Sequence, residues 1–325
     1  MSDPAISVLT CLALAYALAV AIYPVIRHCD LLSIATVGVA CGTAVGGLFL
    51  IPREQVVLRA LTSLLVVDLA FRLIDFTRQR WRGEIEAISW VDYCRLLIPF
   101  PWLLAVFGQK DRRLRVDQRT TTDLFRLLLG FAGIGLCFSM LFAVNRISAL
   151  QSSFVLDHIA KLLIYALTIE SIAQSLCGLE RLLGFDTRPI FDRVHVARTP
   201  ADFWRRMNTR SQPWLYLNVF VPSGGRHAPA RGVWATFVVS GLLHEVAFDI
   251  ATSRITGYQL LFFLLQPPAV LFSARLERLA RARGMWGLVL AHAATILWVG
   301  ATSILFFAGV NRIFPFLYAG DGLLP

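Results

Sequence analysis

The chain has 325 residues, of which 57% are hydrophobic and only 16% charged, with a mean hydropathy of +0.64. A soluble domain carries about 25% charged residues, so the composition points to one all-α polytopic membrane bundle over residues 1–325. It excludes disordered, fibrous, coiled-coil and soluble Rossmann or TIM-barrel classes. The net charge of +10, from 31 basic and 21 acidic residues, is almost all arginine set in loops between apolar runs, which fits cytoplasmic loops facing anionic lipid and points away from nucleic acid.

The N-terminal MSDPAIS has no basic n-region. The first apolar run is therefore expected to remain as a span, and its basic flank at Arg27 and His28 places the N-terminus outside. Crossing the hydrocarbon needs about 20 residues. Runs of that kind lie at Ala5–Ile26, Leu32–Ile51, Val57–Phe76 and Leu124–Val144. Others lie at Asp157–Leu176, Val233–Ala251, Tyr258–Ala274 and Trp286–Ala308. Leu96–Phe107 and Pro213–Val221 are too short and are expected to be re-entrant or interfacial. Phe314–Tyr318 is expected to be an interfacial tail.

Basic loops test this order. The stretches 108–123, 180–212 and 275–285 are rich in arginine, whereas 145–156 and 252–257 carry one arginine each. An even number of crossings separates the rich loops. That gives a bundle of about eight transmembrane helices with both termini outside, provided neither short segment crosses. The expected location is the inner membrane of a bacterium, with the basic face cytoplasmic. Cys11, Cys29, Cys41, Cys94, Cys137 and Cys177 are scattered without metal-ligand spacing. They are expected to be small buried hydrophobes, with no disulfide framework and no metal site.

Polar residues inside spans carry the functional signal. Asp68, Arg72 and Asp75 follow helical spacing and suggest a local ion pair. Glu170 and Gln174, one turn apart, either line a cavity or satisfy a neighbouring helix. His292 is expected to be structural, and His28, His158, His195 and His227 lie at loops or span ends, where water satisfies them. Trp90, Trp102, Trp214 and Trp286 fit interfacial belts.

His244 differs, because an imidazole in mid-span is costly and rarely serves packing alone. Gly241, His244, Glu245 and Phe248 share one broad helical face, and Gly241 leaves room beside the ring. Upstream, TPADFWRRMNTRSQPWLYLNVFV begins with a cap at Thr199, Pro200 at the first helical position and Asp202 three residues after the cap. A helical wheel puts Phe203, Trp204, Met207 and Asn208 on one side and Arg205, Arg206 and Arg210 on the other. A buried amide needs partners, which a substrate can supply. A histidine can take a proton from an alcohol, an asparagine can hold a carbonyl or hydroxyl, and arginines can hold phosphates. Acyl transfer from a phosphorylated thioester to an alcohol needs all three.

The pairing of DFWRRMN and PWLYLNVFVP with a following VSGLLHE resembles the membrane-bound O-acyltransferase superfamily, more narrowly its wax-synthase-like branch. The resemblance is most specific over residues 199–251. It implies a helical bundle with an internal acyl and substrate tunnel and acyl transfer from acyl-coenzyme A to a hydroxyl. The family's histidine falls on His244 and its upstream Asn or His on Asn208. Trp204 and Arg205 match the same motif, and Met207 stands where a second aromatic is common. His244 and Asn208 are thus the expected catalytic pair. Trp204, Arg205, Arg206, Arg210, Glu245 and Gly241 are the expected substrate contacts. Acyl-CoA is a co-substrate, no cofactor is needed, and the partners are an alcohol acceptor and membrane lipids. A base must be neutral, so activity is expected to fall below about pH 6 to 6.5, the ordinary imidazole range. The leading acceptor is a lipophilic alcohol. Acetyl transfer to a polysaccharide or hydroxylated metabolite is the alternative within the enzyme class, and a transporter the alternative outside it.

Overall fold

The structure is a computed structural model and describes residues 3–28, 30–86, 88–99 and 120–318. Every long regular element among them is helical, as a lipid-embedded backbone requires when no water can satisfy it. Helices α1 (Pro4–Ala21) and α2 (Tyr23–Ile26) form the first apolar run, and α3 (Leu31–Gly47) the second. Then come α4 (Val56–Trp81), α5 (Trp90–Leu97), α6 (Thr121–Val144), α7 (Ser148–Gln151) and α8 (Phe154–Leu182). The remainder are α9 (Pro200–Arg206), α10 (Ser211–Leu215), α11 (Pro229–Thr252), α12 (Tyr258–Leu264), α13 (Gln266–Ala282) and α14 (Gly284–Ile313).

Starts are set by short polar side chains. Asp3 caps α1 ahead of Pro4, accepting from the Ala5 amide at 2.9 Å. Asp30 and Ser33 form a capping box on α3, and Thr120 and Asp123 form one on α6. Among the described residues, seven helices are long and apolar enough to cross a membrane. They coincide with seven of the expected spans. The expected span Val57–Phe76 is helical within α4 but is not among the seven, because Arg59, Asp68, Arg72 and Asp75 dilute its apolar run, and all four are buried. The basic stretch at 275–285 is also mostly helical, since α13 runs on to Ala282. Of Leu96–Phe107, residues 96–99 are described and the rest lies outside the described residues, as do Cys29, Trp102 and the arginines of 108–119.

The chain divides into two compact units, 1–110 with 213–260 and 111–212 with 261–325. In the first, Ile26, Leu48, Leu69, Leu73, Phe76 and Leu97 make one apolar core. Tyr93 lies within it, its hydroxyl donating to the Ala19 carbonyl at 2.7 Å. Arg72 meets the carboxylate of Asp68 one turn earlier and donates to the Leu96 carbonyl at 3.0 Å, so the ion pair expected on α4 also fastens α5. Trp214 stacks on Phe71 at 3.8 Å between centroids, and Val239 and Leu243 of α11 pack against this pair.

In the second unit α6 and α8 are the most closely packed helices. A Cβ on Gly130 would stand 2.1 Å from Ser175 Oγ and 2.7 Å from the Ser171 carbonyl oxygen. At Gly178 it would stand 2.6 Å from the Asp123 carbonyl oxygen. Small residues let the backbones approach where lipid supplies no hydrophobic drive. His158 departs from expectation. It is buried, with Nδ1 2.7 Å from the Tyr318 hydroxyl and Nε2 3.2 Å from Ser303 Oγ. Tyr318 is therefore packed inside the unit instead of ending an interfacial tail. Burial, then the Asp157 charge, pushes its phenol well above the usual value.

Candidate active site

Helix α11 begins with Pro229 at its first position and ends at Ser253, whose left-handed φ of 53° stops it. Arg59 fastens that end by donating to the carbonyls of Ile51 (2.8 Å) and Ile250 (3.1 Å) and to the Ser253 hydroxyl. His244 sits two turns before the end, partly buried. Its Nδ1 lies 2.7 Å from the Ser240 carbonyl oxygen. A carbonyl only accepts, so Nδ1 carries a proton, and in the neutral ring Nε2 is the basic nitrogen. The helix itself thus fixes the tautomer.

Gly241 and Glu245 are buried on the same helix. The Glu245 carboxylate accepts from the Leu260 amide at 2.7 Å, the Thr256 hydroxyl at 3.3 Å and the Gly257 amide. Asp249 assists by accepting from the Thr256 amide at 3.3 Å. Glu245 therefore holds the turn after α11 by its backbone amides.

The second cluster starts as its spelling implies. Thr199 Oγ1 accepts from the Asp202 amide at 3.2 Å, and Pro200 opens α9. Ser273 accepts from the Ala201 amide at 2.9 Å, and His292 Nδ1 donates to the Ala197 carbonyl at 2.7 Å, the structural role expected of it. The helix stops at Arg206. Met207 is extended, with ψ of 123°, and Asn208 is left-handed, with φ of 51°. Asn208 therefore does not share a helical face with Phe203 and Trp204, because the wheel assumed a turn that the backbone does not make. Its Oδ1 instead accepts from the Ser211 amide at 3.2 Å, at the start of α10.

Trp204 packs against Phe203, Phe262 and Phe263 at 5.5–6.0 Å between centroids. The arginines divide. Arg205 is exposed and paired with Asp202. Arg206 is mostly buried and donates to Asp202 at 3.0 Å and to the Asp192 carbonyl at 3.2 Å. Burial opposes the Asp202 charge, but hydrogen bonds from Arg205, the Arg198 amide and Arg206 hold its carboxyl below the ordinary value. Arg210 is buried, and its Nη1 donates to Glu180 Oε1 at 2.8 Å while Nη2 engages Oε2 and the Arg188 carbonyl. It serves an internal ion pair and not a phosphate-binding surface. Neighbouring residues of one sequence segment thus have different destinations.

The packing gives three more residues a role. Glu180 lies at the end of α8. Asp75, fully buried, accepts from Arg78 (3.1 Å), Gln79 (2.9 Å) and Asn218 (3.2 Å). Asn218 occupies the π-helical turn Tyr216–Phe220, a form that recurs at functional sites. A lone amide in the apolar run WLYLNVFV was its sequence signal. Glu170 and Gln174 satisfy each other at 2.8 Å.

A family model described as MBOAT, membrane-bound O-acyltransferase family, matches residues 73–299 and so includes both α11 and the α9 segment. The chain belongs to the membrane-bound O-acyltransferase family. This membrane-bound O-acyltransferase chain is 31% identical over 180 residues to "Probable long-chain-alcohol O-fatty-acyltransferase 7" of Arabidopsis thaliana, covering 50% of this chain and 51% of that protein. It is 25% identical over 186 residues to "Acyl-CoA--sterol O-acyltransferase 1" of the same plant, covering 53% and 54%. A "Probable alginate O-acetylase AlgI" of Pseudomonas syringae pv. tomato is 24% identical over 192 residues, covering 54% and 37%. The chain thus spans about half the length, or less, of the curated relatives it matches.

Proposed function

We propose that the protein transfers an acyl group from acyl-CoA to the hydroxyl of a lipophilic alcohol, with His244 as general base. The observation that carries the reading is the ring itself. It stands in a span of the family-matched region with Nδ1 held by Ser240, so Nε2 is the nitrogen able to accept a proton. Nε2 takes the hydroxyl proton as the alcohol oxygen attacks the thioester carbonyl. The C–S bond then breaks, and the leaving thiolate takes the proton back, releasing the ester and coenzyme A. Asn208 supplies its amide to the acceptor or to the developing oxyanion. Arg205 holds coenzyme A phosphates, assisted by Arg206, with Trp204 packed beside them. Gly241 gives the acyl path space next to the ring, and the acyl tail runs in a tunnel. The coenzyme A side is cytoplasmic, in a bacterial inner membrane. The long-chain-alcohol and sterol acyltransferase relatives favour a lipophilic acceptor. The alginate O-acetylase relative supports a second reading, acetyl transfer to a polysaccharide.

The test is purified protein given labelled palmitoyl-CoA or acetyl-CoA with long-chain alcohols, sterols and alginate. Ester is expected from palmitoyl-CoA and an alcohol, with a loss of about 100-fold or more in His244→Ala. Ester formation undiminished in that variant would remove His244 from the role of base. Product from acetyl-CoA and alginate alone would favour the second reading.

A further inference from the structure

Asn208 is left-handed, at φ of 51°, a conformation asparagine takes more readily than other side-chain-bearing residues because its short side chain bonds locally, here to the Ser211 amide at 3.2 Å. What makes the turn specific is the surroundings that hold it in place. Here the surroundings can be named. The irregular stretch 188–192 runs beside 206–210. The Asp192 amide donates to the Arg206 carbonyl at 3.0 Å, and the Thr209 amide donates to the Ile190 carbonyl at 2.7 Å. The Thr209 hydroxyl donates to the Pro189 carbonyl at 2.8 Å. Asn208 is thus bracketed on both sides by backbone pairing.

The bracket is anchored at one point. Arg210, two residues beyond Asn208, reaches both oxygens of Glu180 on α8 and the Arg188 carbonyl. One guanidinium therefore ties together the α8 end, the 188–192 stretch and the Asn208 turn. Glu180 is fully enclosed, and Arg210 is only 7% exposed. A planar fork in a bidentate pair fixes direction as well as distance, which a lysine ammonium cannot do. An enclosed ion pair contributes little net stability over an apolar pair of similar volume, because desolvation offsets its attraction. Geometry is what it adds.

We infer that Glu180, acting through Arg210, is a positioning residue that holds the Asn208 amide in its working orientation. This rests on the reading of Asn208 given under Proposed function. Neither side chain is assigned any contact with substrate.

The test uses the full-length protein in detergent and replaces both partners, Glu180→Leu with Arg210→Met, so that no lone charge is left inside. Asn208→Ala, Arg210→Lys and the wild type are measured beside it with palmitoyl-CoA and a long-chain alcohol. The double variant is expected to keep its melting temperature within a few degrees. Its kcat should fall about 100-fold, the cost of a misplacement near 1 Å, at unchanged acyl-CoA KM. Arg210→Lys, which keeps the charge without the fork, should fall between the two. Hydrogen exchange of peptide 206–212 should speed up about tenfold or more in the double variant with the rest of α8 unaffected, a readout that does not need turnover. Unchanged exchange, or kcat within about twofold of wild type, overturns the inference. A raised KM at constant kcat overturns it differently, by returning Arg210 to phosphate binding. Full activity in Asn208→Ala would sink the catalytic reading of Asn208. Loss there with an active double variant would sink the positioning role alone.

Discussion

At the scale of single residues, what decides a role is the partner a side chain finds. Arg205, Arg206 and Arg210 look alike on paper, yet one is exposed, one is shared with Asp202 and the Asp192 carbonyl, and one is sealed against Glu180. Arg205→Ala is therefore expected to raise the acyl-CoA KM about tenfold at near-constant kcat, the scale of one charge-assisted hydrogen bond. An unchanged KM in steady-state assays would remove phosphate holding from this residue. Asp202 bears on acid stability. Its folded carboxyl lies below the ordinary 3.8, so its contribution is complete above that value and disappears as pH falls through the folded pKa. Melting curves from pH 5 down to 3 should show an acid limb that Asp202→Asn lacks. The candidacy of His244 was legible, because an imidazole in an apolar run stands out. The fate of Asn208 was not, because its position depends on where α9 stops, and 188–192 and Glu180 hold the turn that follows from far along the chain.

At the scale of elements, hydropathy located the long helices well, and the one expected span outside the seven, on α4, has an identifiable cause. The charges in α4 are satisfied by partners on neighbouring turns or on other helices such as α5, and residue counts do not register that pairing. His158 looked like a span-end residue, and only the return of the chain at Tyr318 buries it. Close helix contact makes a sharper prediction. Gly130→Val should lower the melting temperature strongly, at a cost of about 2 kcal/mol or more through overpacking, since its first side-chain atom would meet Ser175 Oγ at 2.1 Å. Gly38→Ala, where nothing lies within 4 Å, should stay within about 0.5 kcal/mol of wild type. Equal effects from the two in thermal melts would contradict the packing described for α6 and α8.

For the whole molecule, charge asymmetry predicts which ends of the helices face the cytoplasm. Cysteines placed at Arg193 and Arg281, both well exposed, should resist a membrane-impermeant maleimide in intact cells. One placed at Arg254 should react. Labelling in the opposite sense would reverse the orientation and move the coenzyme A side with it. Composition with the length of the apolar runs determined that the protein is a helical membrane bundle, because unbroken apolar runs of about 20 residues satisfy their own backbone in lipid as helices. Local spelling determined the caps, most span limits and the two segments on which the family resemblance was read. Tertiary structure decided which polar groups are spent on the fold and which are left for chemistry. Glu245 holds a turn, Glu180 and Arg210 hold each other, and the His244 tautomer is set by a carbonyl one turn away. The physical reason is that a buried polar group's role depends on its hydrogen-bond partners. Those at one-turn spacing can be read along the chain, whereas partners brought close by folding cannot.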